Sequence, residues 1–98
     1  MGFKFYVAGV QHHEYHEVAD KIEPGMTLVL EREPTNRFDV NAVKILWEGI
    51  MLGYVPKKYS QFVAEDLDTG RPLLCTVVSA DDTAPNGRQI EADLVVKG

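Results

Sequence analysis

Four consecutive residues, Asn36-Arg37-Phe38-Asp39, place an amide, a guanidinium, an aromatic ring and a carboxylate side by side, two positions after Pro34. Proline fixes its own φ, and asparagine tolerates left-handed geometry and bonds its own backbone, so the segment is typical of a turn. A ring in such a turn has two alternatives. Phe38 either folds back onto the core, with Asn36 and Asp39 only bracing the loop, or it stays exposed and a nucleobase stacks on it.

The exposed alternative assigns chemistry to the neighbouring residues. Asn36 and Asp39 become hydrogen-bonding groups, and Arg32 and Arg37 lie near phosphates. Base stacking on an aromatic ring contributes about 1 to 3 kcal/mol per base, so a single strand can be held with few basic contacts. The turn chemistry alone leaves both alternatives open.

Two lysines form a second candidate site. Apolar residues at helical spacing predict one helix from Pro56 to Gly70, which places Lys57 and Lys58 at its N-terminus and three acidic residues near its C-terminus (Glu65, Asp66 and Asp68). Charges so placed oppose the helix dipole, at about 0.3 to 1 kcal/mol each. Either the solvated side chains make this penalty small, or the lysines and the helix N-terminus form an anion site.

The histidines suggest a metal site, because His12 and His16 share one helix face if the segment is helical, with His13 beside them. The glutamate of a zinc-protease motif is misplaced, however, and neither a distant histidine nor a cysteine partner is present. A solvated polar turn is therefore the favoured interpretation, and we expect no metal or other cofactor.

The sequence contains no recognisable catalytic apparatus. Ser60, Ser79 and Cys75 lie in no nucleophile motif, and glycine-rich phosphate loops are absent. We expect a protein that is not an enzyme. The single cysteine, Cys75, excludes an internal disulfide and is predicted to be a buried thiol.

Six short strands are expected to position these residues. They are predicted at 3–10, 26–31, 43–47, 50–55, 73–79 and 89–96, with a two-residue turn at Glu48-Gly49 and a short helix within 11–21. So many strands beside one or two helices predict a mainly β (small α+β) domain, a closed or partly open barrel that hides its strand edges.

The composition, 45% apolar and 26% charged over 98 residues, predicts one soluble domain spanning 1–98. The N-terminus lacks a signal peptide pattern and no apolar run could span a bilayer, so a cytoplasmic location without membrane contact is expected. The net charge of −5 argues against nucleic acid, yet the window from Arg32 to Lys58 carries +2 and the remainder −7.

The segments VLEREPTNRFDVNAVKI and IMLGYVPKKYSQFVAEDL, preceded by a strand that ends in AGV, closely resemble the HIRAN domain family. The resemblance covers about Phe3 to Val96 and implies an OB-like β-barrel of about six strands that binds DNA. In a member that is part of a helicase-like remodelling protein, the domain captures the free 3′-hydroxyl end of single-stranded DNA.

The resemblance also implies roles for single residues. Tyr6 and Phe38 fall where aromatic rings stack on the terminal bases, and Asn36 and Asp39 fall where polar groups hold the terminal nucleotide and its 3′-hydroxyl. Phe38 replaces a tyrosine, and the sequence departs from that member's pattern at positions 5 and 7. The expected nucleic-acid-binding residues are Tyr6, Arg32, Asn36, Arg37, Phe38, Asp39, Lys57 and Lys58.

The expected function is therefore a non-catalytic module for single-stranded DNA, with free 3′-hydroxyl ends as its target, in DNA repair or replication-fork processing. A helicase or nuclease is a candidate partner. The alternative is a protein-interaction barrel, because the acidic remainder of the chain could dock a partner protein.

Overall fold

A computed structural model describes residues 2–97. It contains six strands and two α-helices: β1 (Gly2–Tyr6), α1 (Tyr15–Val18), β2 (Thr27–Arg32), β3 (Val43–Trp47), β4 (Ile50–Tyr54), α2 (Lys57–Asp68), β5 (Leu73–Ala80) and β6 (Ile90–Val96). Short 3-10 turns at Val10–His12 and Ala19–Lys21 lie on either side of α1. None of the helices within residues 2–97 has the length and apolar character needed to cross a membrane.

The strands form one curled antiparallel sheet in the order β1-β6-β5-β2-β3-β4. Strand β2 turns the corner of the sheet, since Thr27 and Leu28 pair with β5 whereas the residues from Val29 onward pair with β3. Register shifts in the β3–β4 and β5–β6 ladders add curvature. This architecture confirms the predicted OB-like barrel.

The two edges of the sheet meet at a single point. Ala8, just beyond β1, pairs with Tyr54 at the end of β4 through backbone hydrogen bonds of 2.8 and 2.9 Å. The approach is possible because Gly53 has no side chain: a Cβ there would clash with the Ala8 carbonyl oxygen and lie 2.7 Å from Val7 Cγ1. The predicted first strand, 3–10, is therefore too long, since β1 ends at Tyr6 and Ala8 pairs with the opposite edge.

Alternation along β1 separates a core face from a solvent face. Phe5 and Val7 are buried, whereas Lys4 and Tyr6 are exposed. The core also contains Cys75, as predicted, and burial together with nearby Asp93 raises the pKa of its thiol to about 12. At neutral pH this thiol is protonated and unreactive.

The hairpin and the long helix agree with the sequence prediction. Strand β3 has the predicted bounds, and Glu48 and Gly49 have φ angles of 46° and 81°, as a two-residue hairpin turn requires. The short helix expected within 11–21 is present as α1, and 3-10 turns lie on either side of it. Val10, Tyr15 and Val18 are buried and anchor this region to the core.

The closure at Gly53 gives a stability prediction. Gly53→Ala should destabilise the protein by about 3 kcal/mol, because the added methyl group overpacks the contact between β1 and β4. Gly49→Ala is the control: its Cβ meets open space, and only the positive φ should cost about 1 kcal/mol. Urea unfolding measures both values.

Amide hydrogen exchange supplies the second readout. The amides of Ala8 and Tyr54, which are hydrogen-bonded across the closure, should lose protection in Gly53→Ala and keep it in Gly49→Ala. Unchanged protection in Gly53→Ala would show that the closure does not depend on this glycine.

Candidate nucleic-acid interface

Two clefts meet at the N-terminus of α2. The first, called here the Tyr6 cleft, has a volume of about 520 Å³ and is lined by side chains that include Lys4, Tyr6 and Lys58. The second, the Phe38 cleft, has a volume of about 250 Å³ and is lined by residues of the β2–β3 loop, β4 and α2 (Asn36, Phe38, Asp39, Ala42, Tyr54, Val55 and Lys57). Ala8 lines both, so the clefts are adjacent on one face.

Strand β1 supplies the aromatic ring of the Tyr6 cleft. Tyr6 is 41% exposed, and Lys4 lies two residues before it on the same face of the strand. Lys58 stands across the cleft on the first turn of α2, with its Nζ 5.0 Å from the centre of the Tyr59 ring. The cleft thus combines an accessible ring with two ammonium groups and the carboxylate of Glu91.

The β2–β3 loop holds Phe38 in the solvent. Asn36 Oδ1 accepts hydrogen bonds from the backbone N–H groups of Phe38 (2.8 Å) and Asp39 (3.0 Å), while Phe38 is 86% exposed. Asn36 does brace the loop, as one sequence alternative expected, but the ring does not fold back onto the core. The structure therefore has the ring exposed, which is the position that the second alternative expected.

Asp39 connects this loop to the first turn of α2 through a side-chain hydrogen bond. Its Oδ2 accepts a 2.7 Å hydrogen bond from the Ser60 hydroxyl, and its Oδ1 accepts one of 2.9 Å from the Asn41 backbone N–H. Lys57 Nζ donates a 3.3 Å bond to the Phe38 carbonyl. Lys57 at the helix N-terminus is therefore partly balanced by an acid that comes from the loop, not from the helix.

The same contacts keep Asp39 ionised. The Ser60 hydroxyl is the largest cause and lowers the pKa of Asp39; burial, the second, raises it, and the Asn41 N–H, Lys57 and Arg32 lower it further, so that the net shift is downward. A carboxyl whose pKa is lower in the folded chain stabilises the fold above its unfolded pKa, and that stabilisation is lost as the pH falls through the folded pKa. At neutral pH the Phe38 cleft presents a negative carboxylate beside the Lys57 ammonium group.

A second polar group fixes the other side of the loop. Glu33 Oε1 accepts hydrogen bonds from the Tyr54 hydroxyl (2.7 Å) and from Asn36 Nδ2 (2.8 Å). The bond from Tyr54, followed by that from Asn36, lowers the pKa of Glu33, and the same bond to Glu33 raises the pKa of Tyr54. Both polar ends of the Asn36 side chain are thereby used within the protein.

The two arginines that the sequence placed near phosphates line neither cleft. Arg32 is bound within the fold, since its Nε lies 3.1 Å from Asp68 Oδ1 and its guanidinium also donates to the Val40 and Ala42 carbonyls. Arg37 is exposed on the loop beside the Phe38 cleft. Of the eight expected residues, six line the clefts: Tyr6, Asn36, Phe38, Asp39, Lys57 and Lys58.

The three histidines have separate contacts. The His13 ring packs edge-on against Tyr54 at 5.7 Å, and His16 Nδ1 lies 2.6 Å from Asp82 Oδ1, whereas His12 contacts neighbouring Gln11. Among residues 2–97, no group of three or more histidine, cysteine or acidic side chains is arranged to hold a metal ion.

Sequence reasoning missed the residues that support the site. Ser60 and Tyr54 each donate to a carboxylate of the loop, and neither was assigned a role. In the sequence, Tyr54 is marked only by its position after Gly53 and shortly before Pro56, and Ser60 only by its position in the first turn of a predicted helix. Neither signal identifies its partner, since both contacts join residues 21 positions apart.

The fold and the site define a small curled β-barrel with exposed aromatic and basic side chains around a helix N-terminus. A family model described as the HIRAN domain matches residues 2–96. The chain therefore belongs to the HIRAN domain family.

Two solved structures are similar to the chain. The HIRAN domain of human HLTF aligns with a TM-score of 0.77 and 17% identity, over 95% of this chain and 72% of that chain. A protein from Lactobacillus plantarum aligns with a TM-score of 0.81 and 23% identity, over 96% of this chain and 93% of that chain. At these identities the likeness concerns the fold. No curated protein matches the chain significantly.

The contact between Ser60 and Asp39 gives a pH prediction. Ser60→Ala should raise the pKa of Asp39 toward the ordinary value of 3.8, because the largest cause of its lowering is removed. Carboxyl-carbon NMR titration measures the shift. Thr83→Ala is the matched control: it should raise the pKa of Asp81, which Thr83 lowers, and leave Asp39 unchanged. An Asp39 pKa that does not change in Ser60→Ala would contradict the hydrogen bond between Ser60 and Asp39.

Proposed function

We propose that this domain binds single-stranded DNA along the Tyr6 and Phe38 clefts and captures its free 3′-hydroxyl end, as a non-catalytic module in DNA repair or replication-fork processing. HIRAN domains are DNA-binding domains, and membership of the family supports nucleic acid as the ligand. The observation that carries the proposal is the 86% exposed Phe38 ring, held by its loop beside an ionised Asp39 and the N-terminus of α2.

Stacking supplies most of the affinity in this proposal. Tyr6 and Phe38 are both exposed, and one ring lines each cleft, so successive bases near the end of a strand could each meet a ring. Each stacked base contributes about 1 to 3 kcal/mol. The rings therefore offset the small number of basic side chains on an acidic protein.

The cations and the helix N-terminus hold the backbone of the strand. Lys57 and Lys58 occupy the first turn of α2 and face one cleft each, and Lys4 lines the Tyr6 cleft. Backbone N–H groups and the positive end of the helix favour a phosphate at this position. Arg37 can reach the strand from the loop, whereas Arg32 and Asn36 act by holding the loop in place.

Asp39 provides the preference for the 3′-hydroxyl. Each of its two oxygens accepts one hydrogen bond within the protein and has a lone pair left for a further donor. A 3′-hydroxyl can donate to it, whereas a 3′-phosphate would be repelled by the ionised carboxylate. A helicase or nuclease that acts on the same DNA is the candidate partner.

Replacing the ring tests the stacking. Phe38→Ala should weaken binding of a short single-stranded oligonucleotide by roughly 5- to 150-fold, which corresponds to about 1 to 3 kcal/mol, in fluorescence anisotropy. The melting temperature should not change, because the ring is exposed. Val29→Ala, at an exposed apolar position on β2, is the control and should bind like the wild type. Full affinity in Phe38→Ala would exclude stacking on this ring.

Neutralising the carboxylate tests the end capture. The wild type should prefer an oligonucleotide with a 3′-hydroxyl over the same oligonucleotide with a 3′-phosphate, and Asp39→Asn should lose most of this preference because the repulsion disappears. Asp20→Asn, in an exposed turn, should keep it. If the wild type binds both ends equally, end capture is wrong even if single-stranded DNA is the ligand.

A further inference from the structure

A third cleft lies between the start of β1, the last turns of α2 and the start of β5. It has a volume of about 460 Å³ and is lined mainly by apolar side chains that include Phe3, Tyr59, Phe62 and Leu73; we call it the Phe62 groove. The Phe3 and Tyr59 rings lie 4.9 Å apart, and Phe62 stands 65% exposed. The proposed DNA interface uses none of Phe3, Phe62 and Leu73.

The exposed apolar side chains of this groove are contiguous. Phe62 lies on the solvent side of α2, where a polar residue would serve the fold equally well, and it extends the apolar surface of Phe3 and Leu73. A contiguous apolar patch with a polar rim marks an interaction site more often than isolated exposed residues do. The groove therefore has the character of a binding surface.

The charges at the rim indicate the chemistry of the occupant. Glu65 and Asp66 lie at the groove near the C-terminus of α2, where the helix dipole is already negative and does not favour acidic side chains. Arg71, the basic residue at the groove, lies 3.7 Å from Asp66 and balances only one of the two acids. The remaining negative charge favours an occupant with a lysine or arginine.

The strand edge beside the groove indicates the conformation of the occupant. Strand β1 pairs with β6 on one side, and along Gly2–Tyr6 no other described strand pairs with its second side. Gly2 and Phe3 of this edge line the groove. An extended chain can pair with such an edge through its backbone while its alternate side chains enter adjoining pockets.

We propose that the Phe62 groove binds an extended peptide segment of a partner protein, in which a bulky apolar side chain lies next to a lysine or arginine. The apolar side chain packs between Phe3, Tyr59 and Phe62, and the basic side chain pairs with Glu65. Tyr59 lines both this groove and the Tyr6 cleft, so the peptide would sit beside the nucleic-acid interface without covering Phe38. The proposal stands independently of whether the ligand of the clefts is DNA.

Selection from random short peptides displayed on phage tests the proposal directly. Peptides that bind the intact wild-type protein should be enriched in a bulky apolar residue next to lysine or arginine. The same peptides, made synthetically, should lose at least about tenfold in affinity for Phe62→Ser and for Glu65→Lys, as measured by anisotropy. Val29→Ser, at an exposed apolar position outside the groove, is the matched control and should bind normally.

Four results would overturn the proposal. The selection could yield no binding peptides, or acidic ones, or peptides whose affinity is unchanged in Phe62→Ser and Glu65→Lys. A wild type that self-associates in sedimentation, and becomes monomeric as Phe62→Ser, would instead make the groove an interface between two copies of the chain. Because Glu65 is exposed on the helix surface, Glu65→Lys keeps the test valid even if Phe62→Ser proves unstable.

Discussion

The close approach of two backbones at Gly53 is the constraint on which the rest of the structure depends. It allows Ala8 to pair with Tyr54 and so joins the two edges of a six-stranded sheet. Ala8 then separates two clefts, and the Tyr54 side chain reaches Glu33 in the β2–β3 loop. The site consequently owes its shape to the closure of the barrel.

The small number of exposed cations beside the clefts suits the proposed function, in which the 3′ end of the strand is recognised and the phosphates contribute little affinity. The chain carries a net charge of −5, and the exposed cations beside the two clefts are Lys4, Arg37, Lys57 and Lys58. Few cations release few counterions, so the proposed function relies on stacking and on a well-positioned acid. The hydroxyl of Ser60 holds that acid, Asp39, in place and keeps it charged.

The sequence predicted most of the fold because its local signals agree with the tertiary structure. Alternation identified β3 within its observed bounds, and the Glu48-Gly49 pair identified its hairpin. The early end of β1 was missed because the aromatic and β-branched residues continue to Val7, and it is the contact with β4 that diverts Ala8. The short helix expected within 11–21 is present as α1, whereas the 3-10 turns on either side of it were not predicted.

The site was predicted in part. The order of residues suggested that Asn36, Phe38 and Asp39 form a unit, but turn chemistry alone could not decide whether the ring is exposed. For Arg32 the prediction failed in the other direction. The sequence suggested that its guanidinium is free to bind a phosphate, but in the fold it is bound by Asp68, which lies 36 residues away in the chain. Contacts between distant residues decided both outcomes.

The central claim is that single-stranded DNA binds across the N-terminus of α2, and chemical-shift mapping with ¹⁵N-labelled protein tests it most directly. Addition of a short oligonucleotide with a free 3′-hydroxyl should shift the amide signals of the two clefts, above all those of Tyr6, Ala8, Phe38, Asp39 and Lys57, and leave those around Phe62 and Leu73 unchanged. Shifts confined to the Phe62 groove, or no shifts at all, would contradict it.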